Sequence, residues 1–282
     1  MGAYTWEGDR VSRRISPASR LACLLGHPVA HSVSPQIHNA AFAAAGVDAV
    51  YLAFDVPPSR VPEAVAGLRA LGMLGANVTV PHKRAVWELA DARTPEAELV
   101  GAANTLFWDA GALIADNTDA GGLQEVLLRD VRLGPGDPVL LFGAGGAARA
   151  SAVALGRLGA RLQVRARRPE AAAQIASLAA EHGATLSALS VPRLVINATP
   201  LGLHGEPLPA PLMALGGDQV ALDLVYGPSD TPFLAAARAN GAAAFDGLGM
   251  LVAQAALAWT RWTGRPAPLA AMRAAAEAAL GR

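Results

Sequence analysis

The segment Leu140-Leu141-Phe142-Gly143-Ala144-Gly145-Gly146-Ala147-Ala148 constrains this chain more than any other. An apolar run breaks into closely spaced glycines and resumes as alanine-rich sequence, which reads as strand, tight turn and helix. Gly143 and Gly145 take the first two glycine positions of a dinucleotide fingerprint, with Ala148 at the third. Glycines there let the backbone turn sharply and approach a pyrophosphate, and the helix start beyond them presents unpaired N–H groups. A second strand, Arg161–Ala166, ends near Arg165, Arg167 and Arg168, where an NAD-selective site carries Asp or Glu. Guanidinium groups suit a 2′-phosphate, so NADP is expected over NAD. A solvated basic face is the plainer alternative.

This unit continues with strands expected at Leu194–Asn197, Gln219–Asp223 and Ala242–Phe245, and helices at Ala147–Leu158, Pro169–His182 and Pro232–Asn240. A similar alternation precedes it. Strands are expected at Leu21–Gly26, Val50–Val56 and Ala76–Val80, and helices at Pro35–Ala45 and Ser59–Leu71, with Ser34 and Ser59 as caps. Asn104–Trp108 and Ala112–Ala115 read as a hairpin, followed by a helix over Asp119–Arg129. The turn-forming run Leu133-Gly134-Pro135-Gly136-Asp137-Pro138 marks a boundary nearby. Two successive α/β units predict two domains. Helices over Gly247–Thr263 and Pro268–Leu280 are left without an assigned place by pattern alone.

Composition excludes several function classes. With 23 Lys+Arg against 23 Asp+Glu, the formal charge is zero, which argues against nucleic acid as a partner. A single cysteine, Cys23, rules out an intramolecular disulfide framework and a cysteine-based zinc cluster. The longest low-polarity stretches are broken by Arg149, Arg157, Asp246 and Gln254, so no membrane span is expected. Residues 1–20 have no apolar core for a secretory signal and read as a disordered extension or an artefact of the assigned start. A cytoplasmic protein is the expectation.

Of the 23 Lys+Arg, one is lysine: Lys83. Arginine stays protonated in proteins, whereas lysine can exchange a proton. Lys83 is therefore either a remnant of compositional drift or the place where an exchangeable amine is needed. It closes Asn77-Val78-Thr79-Val80-Pro81-His82-Lys83, a strand end at the ligand-binding edge of a parallel sheet, and Pro81 can start the next helix. Asp116-Asn117-Thr118-Asp119 offers carboxylates near another helix start. An aspartate beside Lys83 would hold the amine and favour its charged form, as carbonyl reduction requires. By spacing, Asp119 serves equally well as an N-cap. Ser32 and Ser34 flank Val33 and can direct both hydroxyls one way, to cap a helix or bind a carboxylate. His27, His31 and His38 are interrupted by Pro28 and Pro35, so no metal site is expected.

From about residue 21 to 282 the sequence resembles the shikimate dehydrogenase family. The resemblance rests on Gly26–Pro35, Asn77–Lys83, Gly101-Ala102-Ala103-Asn104-Thr105, Asp116–Asp119, Gly143–Ala147, Asn197-Ala198-Thr199-Pro200 and Asp246–Gln254, seven motifs in order. It implies NADPH-dependent reduction of 3-dehydroshikimate to shikimate in aromatic amino-acid biosynthesis. A substrate domain over 21–120 and 247–282 is implied, with a Rossmann-like NADP domain over 121–246 and the last helices returning to the first domain. It implies Lys83 and Asp119 as the catalytic pair, Ser32 and Ser34 as carboxylate binders, and Thr79, Asn104, Asp119 and Gln254 as partners of ring hydroxyls. Tyr226 stands where the family has a substrate-side tyrosine; a core aromatic is the alternative. Gly143, Ala144, Gly145, Gly146, Ala147, Arg165, Arg167, Arg168, Thr199 and Gly247 are the implied cofactor positions. The family's Asn-Arg-Thr reads Ala166-Arg167-Arg168 here, and Ala171–Ala173 replace a further arginine, so the strength of NADP preference is open. Rival functions are a quinate/shikimate dehydrogenase and a non-catalytic NADP- or shikimate-binding regulator; in any of these the protein is expected to be a monomer or homodimer.

Overall fold

Alternation along the first strand sets the architecture. β1 (Arg20–Gly26) sends Ala22 and Leu24 into one apolar core and Cys23 and Leu25 into another, so its sheet is covered on both faces. The computed structural model describes residues 15–202, 206 and 208–282. The first unit runs β1, α1 (Ser34–Ala44), β2 (Ala49–Asp55), α2 (Val61–Ala70), β3 (Gly75–Val78), α3 (Lys83–Leu89), β4 (Ala92–Arg93), α4 (Pro95–Val100), β5 (Thr105–Asp109), β6 (Ala112–Asp116) and α5 (Asp119–Arg129). Its sheet order is β2-β1-β3-β5-β6-β4. β1 pairs in parallel with β2 and β3, while β5 runs antiparallel to both β3 and β6 as the expected hairpin.

The second unit runs β7 (Pro138–Phe142), α6 (Gly146–Arg157), β8 (Arg161–Arg165), α7 (Pro169–Glu181), β9 (Thr185–Leu186), β10 (Leu194–Asn197), α8 (Ala210–Met213), β11 (Val220–Asp223), α9 (Pro232–Ala239) and β12 (Ala243–Phe245). Its sheet, β12-β11-β10-β7-β8-β9, is parallel throughout. Val139 and Leu141 face the core under α6 and α7, whereas Leu140 and Phe142 face the one under α8 and α9. This is the doubly wound arrangement expected from the glycine-rich segment.

The chain then returns. α10 (Leu248–Thr263) and α11 (Leu269–Ala279) place Leu248, Val252, Trp259, Trp262, Met272 and Ala276 in the core beside Ala22, Leu24 and Phe42. The last helices thus belong with the first sheet. α5 packs against both α10 and α6, so it is shared by the two units.

Two expected caps are not formed. Ser34 is itself the first residue of α1, and Ser59 lies in a short 3₁₀ turn over Pro58–Arg60; neither caps through its side chain. Proline at the start of both helices sets the entry dihedral instead. Thr94 and Thr231 do cap, accepting from Ala97 N (3.2 Å) and Leu234 N (3.4 Å). Pro81 does not open α3, which starts two residues later at Lys83. Of the expected N-terminal extension, residues 1–14 lie outside the described residues. Within 15–20, Ser19 donates to Asp48 Oδ1 at 2.7 Å, and Arg20 already belongs to β1.

Glycine fixes how closely α5 and α10 approach. A Cβ on Gly122 would lie 2.8 Å from the Gln254 nitrogen and 3.1 Å from its Cα. Backbone cannot yield as a side-chain tip can. Gly122→Ala is expected to cost about 1–3 kcal/mol in urea unfolding. Gly121→Ala meets only the tip of Leu257, at 2.9 Å, and is expected to stay within about 0.5 kcal/mol of the parent. Equal costs at the two positions would refute the close-packing argument.

Candidate active site

Four elements bring the polar residues together. β3 ends at Val78, and the chain passes Thr79 before α3 opens on Lys83. Asn104 directly precedes β5, and α5 opens on Asp119 after Thr118. Lys83 Nζ donates to Asp119 Oδ2 at 2.6 Å. The two side chains are 20% and 10% exposed, sheltered enough that each requires its partner yet open to a ligand. Asp119 therefore acts as an ion-pair partner rather than as the N-cap; Thr118 holds the cap position.

Asn104 is the hub of this arrangement. Its Nδ2 donates to Asp119 Oδ1 (2.8 Å), Thr118 Oγ1 (3.0 Å) and Gln254 Oε1 (3.3 Å), while its Oδ1 accepts from Thr118 N (2.8 Å). Asn117 braces it from behind, donating to Ala102 O (3.0 Å) and accepting from Asp119 N (3.1 Å). Ala103 N donates to Lys83 O at 2.9 Å, which fixes the start of α3 against the same segment.

A cavity of about 220 Å³ opens over this pair. It is lined by Ser32, Ser34, Thr79, Lys83, Asn104, Asp119, Tyr226 and Gln254, every residue expected on the substrate side. Ser32 Oγ donates to Ser34 Oγ at 3.1 Å, so the hydroxyls do lie together. Tyr226 reaches over from the loop after β11 to line the cavity with Ser32; burial holds its phenol above the ordinary range, outweighing the lowering influence of the Ser32 side chain and the Val33 backbone. Asn77, His31, Leu224 and Met250 also line the cavity, and the sequence reading assigned them no site role. Asn77 had a signal: a polar amide inside an otherwise apolar run expected as a strand. It accepts from Tyr51 OH at 3.0 Å and donates to Asn104 O at 3.3 Å.

The imidazoles are spent separately. His27 Nδ1 lies 2.5 Å from Asp55 Oδ1, His31 faces the cavity, and His38 is buried against Tyr51 at a ring separation of 4.4 Å. Burial lowers the His38 pKa to about 3, so it stays neutral.

A larger cavity, about 770 Å³, lies over the glycine-rich turn. Gly143, Ala144, Gly145, Arg165, Arg167, Arg168 and Thr199 line it. Gly143 sits at φ +131°, and a Cβ there would lie 2.6 Å from Ala198 O. Gly145 has open space where its Cβ would be, leaving bare backbone before the N-terminus of α6. Three guanidiniums, a glycine turn and a helix start fit a dinucleotide carrying an extra phosphate. Gly146 faces the other way: a Cβ there would be 3.9 Å from Lys83 Cδ. Ala147 follows it in the first turn of α6, and Gly247 lines the smaller cavity rather than the larger. The turn thus stands between the two cavities.

Beneath both lies Asp223, fully buried at the end of β11. It accepts from Asn197 Nδ2 (3.0 Å), Val225 N (3.1 Å) and Thr231 Oγ1 (2.6 Å). Asn197 in turn accepts from Thr199 Oγ1 at 2.6 Å. One carboxylate therefore supports the Thr199 segment and the Tyr226 loop together.

Residues 24–106 match the family model described as shikimate dehydrogenase substrate binding domain, and residues 247–277 match shikimate 5'-dehydrogenase C-terminal domain. Shikimate dehydrogenase (NADP(+)) of Anaeromyxobacter sp. (strain Fw109-5) is 48% identical over 281 residues, covering 95% of this chain and 99% of that protein. A crystal structure of a shikimate dehydrogenase in complex with NADP+ superposes with a TM-score of 0.87 at 35% identity, covering 95% of this chain and 98% of the other. Shikimate 5-dehydrogenase from Thermus thermophilus, in complex with NADP(H) and shikimate, gives 0.81 at 38% identity, with coverage of 92% and 99%.

Burial raises the Asp223 carboxyl to about 6, outweighing the hydrogen bonds from Thr231, Val225 and Asn197 that lower it. An unfolded aspartate titrates near 3.9. The folded state thus keeps its proton to higher pH. The penalty is absent below about pH 4, grows as pH rises to about 6, and is complete above it. Asp223→Asn removes the charge, so its stability relative to the parent is expected to improve by up to about 3 kcal/mol between pH 4 and 7. Urea unfolding of both proteins across that range measures it; a pH-independent difference would refute the assignment.

Proposed function

The chain belongs to the shikimate dehydrogenase (NADP(+)) family, and on that premise we propose that Lys83 and Asp119 are the acid–base pair with which it reduces 3-dehydroshikimate to shikimate. The ion pair at 2.6 Å, set in a cavity of short polar side chains, carries this reading. NADPH, when bound, supplies the hydride that carbonyl reduction requires.

The chain's residues supply the rest. Lys83 presents an ammonium to the carbonyl oxygen, polarises it and gives up a proton as the alkoxide forms; in the oxidative direction the amine takes that proton back. Asp119 holds the amine in place, and Asn104 holds Asp119. Ser32, Ser34 and Tyr226 gather three hydroxyls for the substrate carboxylate, while Thr79, Asn104, Asp119 and Gln254 are suited to its ring hydroxyls. A polyhydroxylated acid needs this density of short polar groups, because a buried hydroxyl left unpaired costs about 1–3 kcal/mol.

Gly143, Ala144 and Gly145, just before α6, would take the pyrophosphate, with the backbone N–H groups of Gly146 and Ala147 opening the helix behind them. Arg165, Arg167 and Arg168 would take the 2′-phosphate, with Thr199 and Gly247 as the remaining cofactor positions. In this reading 21–120 and 247–282 handle substrate and 121–246 handle nucleotide, with α5 and α10 joining them.

Two outcomes are expected. Lys83→Arg keeps a positive charge but removes the exchangeable proton, so kcat for shikimate oxidation should fall about 10²–10⁴-fold with nucleotide binding intact. Parent-like kcat would remove the mechanism. Arg167→Ala should raise KM for NADP+ about tenfold or more and leave NAD+ within about twofold. Steady-state rates with shikimate or quinate and either nucleotide read both, and a parent enzyme faster on quinate would displace shikimate as substrate.

A further inference from the structure

Arg149 lies one turn into α6, three residues after Gly146 and therefore on the same helix face. Val153 and Arg157 continue that stripe. Gly146 at its top approaches Lys83 Cδ, so the stripe is the side of α6 turned toward the first unit.

α4 is held from that stripe at both ends. Arg157 forms a two-point ion pair with Glu96, in the first turn of α4, at 2.5 and 2.8 Å. Arg149 Nε donates to Val100 O, in the last turn of α4, at 2.5 Å. The two contacts are chemically unequal. Arg157–Glu96 is a partly exposed pair between flexible side chains, the kind that contributes little. Arg149 instead delivers a cation to a helix C-terminus, where the last carbonyls lack intrahelical partners and the dipole favours positive charge. It also lies against Gly101, the left-handed residue closing α4, where a Cβ would stand 3.1 Å from Nη2.

The chain beyond Val100 gives this contact its weight. Ala102 O accepts from Asn117, which also receives Asp119 N. Ala103 N donates to Lys83 O. Asn104 then holds Asp119 Oδ1. The four residues after the arginine's carbonyl thus support both members of the ion pair, while the arginine belongs to the helix whose start faces the larger cavity.

We propose that Arg149 is a positioning residue that sets the substrate-side groups Lys83, Asn104 and Asp119 in register with the nucleotide-binding end of α6. This rests on the dehydrogenase reading above. Each half-site keeps its own residues without Arg149; what is lost is their relative placement, to which a reaction between two bound molecules is sensitive.

The test uses the full chain with Arg149→Ala, Arg149→Met, Arg149→Lys and Arg157→Ala. Calorimetry measures binding of NADP+ and of shikimate separately, beside kcat and thermal midpoint. In Arg149→Ala and Arg149→Met, kcat is expected to fall roughly thirtyfold or more while each separate Kd stays within about threefold. Arg149→Lys, which can still donate to Val100 O, should recover most of the rate. Arg157→Ala should stay within about twofold of the parent. Arg149→Met keeps the packed stem and carries the test should Arg149→Ala not fold. A kcat within threefold in Arg149→Met overturns the proposal, and so does a tenfold loss of NADP+ affinity, which makes Arg149 a ligand contact. A common fall in midpoint and both affinities also overturns it, because the role is then structural. An inactive parent protein that binds both ligands refutes the dehydrogenase reading instead.

Discussion

An ammonium and a carboxylate 2.6 Å apart in a half-closed cavity depend on one another, because either alone would be a poorly solvated charge. The Lys83–Asp119 pair therefore constrains the first unit of the chain. It needs α3 and α5 to start at one edge of one sheet, and it needs Asn104 between them. The topology meets both needs by inserting β5 antiparallel beside β3, so that Asn104, just before β5, lies next to the end of β3. A strictly alternating parallel unit would have carried Asn104 to the opposite end of the strand.

The rest of the cavity is assembled from distant chain. Gln254 arrives on α10, which can come close to α5 because Gly122 has no side chain. Tyr226 arrives on a loop whose base is pinned by Asp223, a carboxyl kept inside the second sheet at an energetic cost. That cost is tolerated because one group organises two loops facing two cavities. Buried polar residues here specify geometry more than they add stability.

Much of this was legible in the sequence and some was not, for physical reasons. Glycines and apolar runs act locally, so the dinucleotide turn, the longer strands and the hairpin followed from neighbouring residues, whereas the two-residue strands β4 and β9 did not. α3 was read only as a helix start, placed two residues early at Pro81, and α4 went unread, because 7 and 6 residues are too few to show a helical period. Capping by Ser34 and Ser59 was a local inference overridden by the prolines beside them. The hub role of Asn104 spans separations of 15 and 150 residues, and the Asn197–Asp223 and Arg149–Val100 contacts span 26 and 49. Without a fold to bring them together, such pairs look like any other polar residues. Motif resemblance supplied the substrate-side residues, but not the groups that hold them from behind.

The division of labour among cations explains why a single lysine suffices. Arginine is used as a clamp on carbonyl oxygens: Arg93 on Trp87, Arg149 on Val100, Arg193 on Val131, Arg238 on Ala244 and Arg282 on Gly227. Those positions call for a permanent charge with several donors in a fixed plane, and proton exchange there would only loosen the clamp. Inside the smaller cavity the requirement reverses. In the proposed reaction the group there would release and recover a proton within one turnover, and a guanidinium resists that. Arginine elsewhere in the chain is therefore compatible with structure, whereas under the proposed mechanism Lys83→Arg would preserve the ion pair and remove the chemistry.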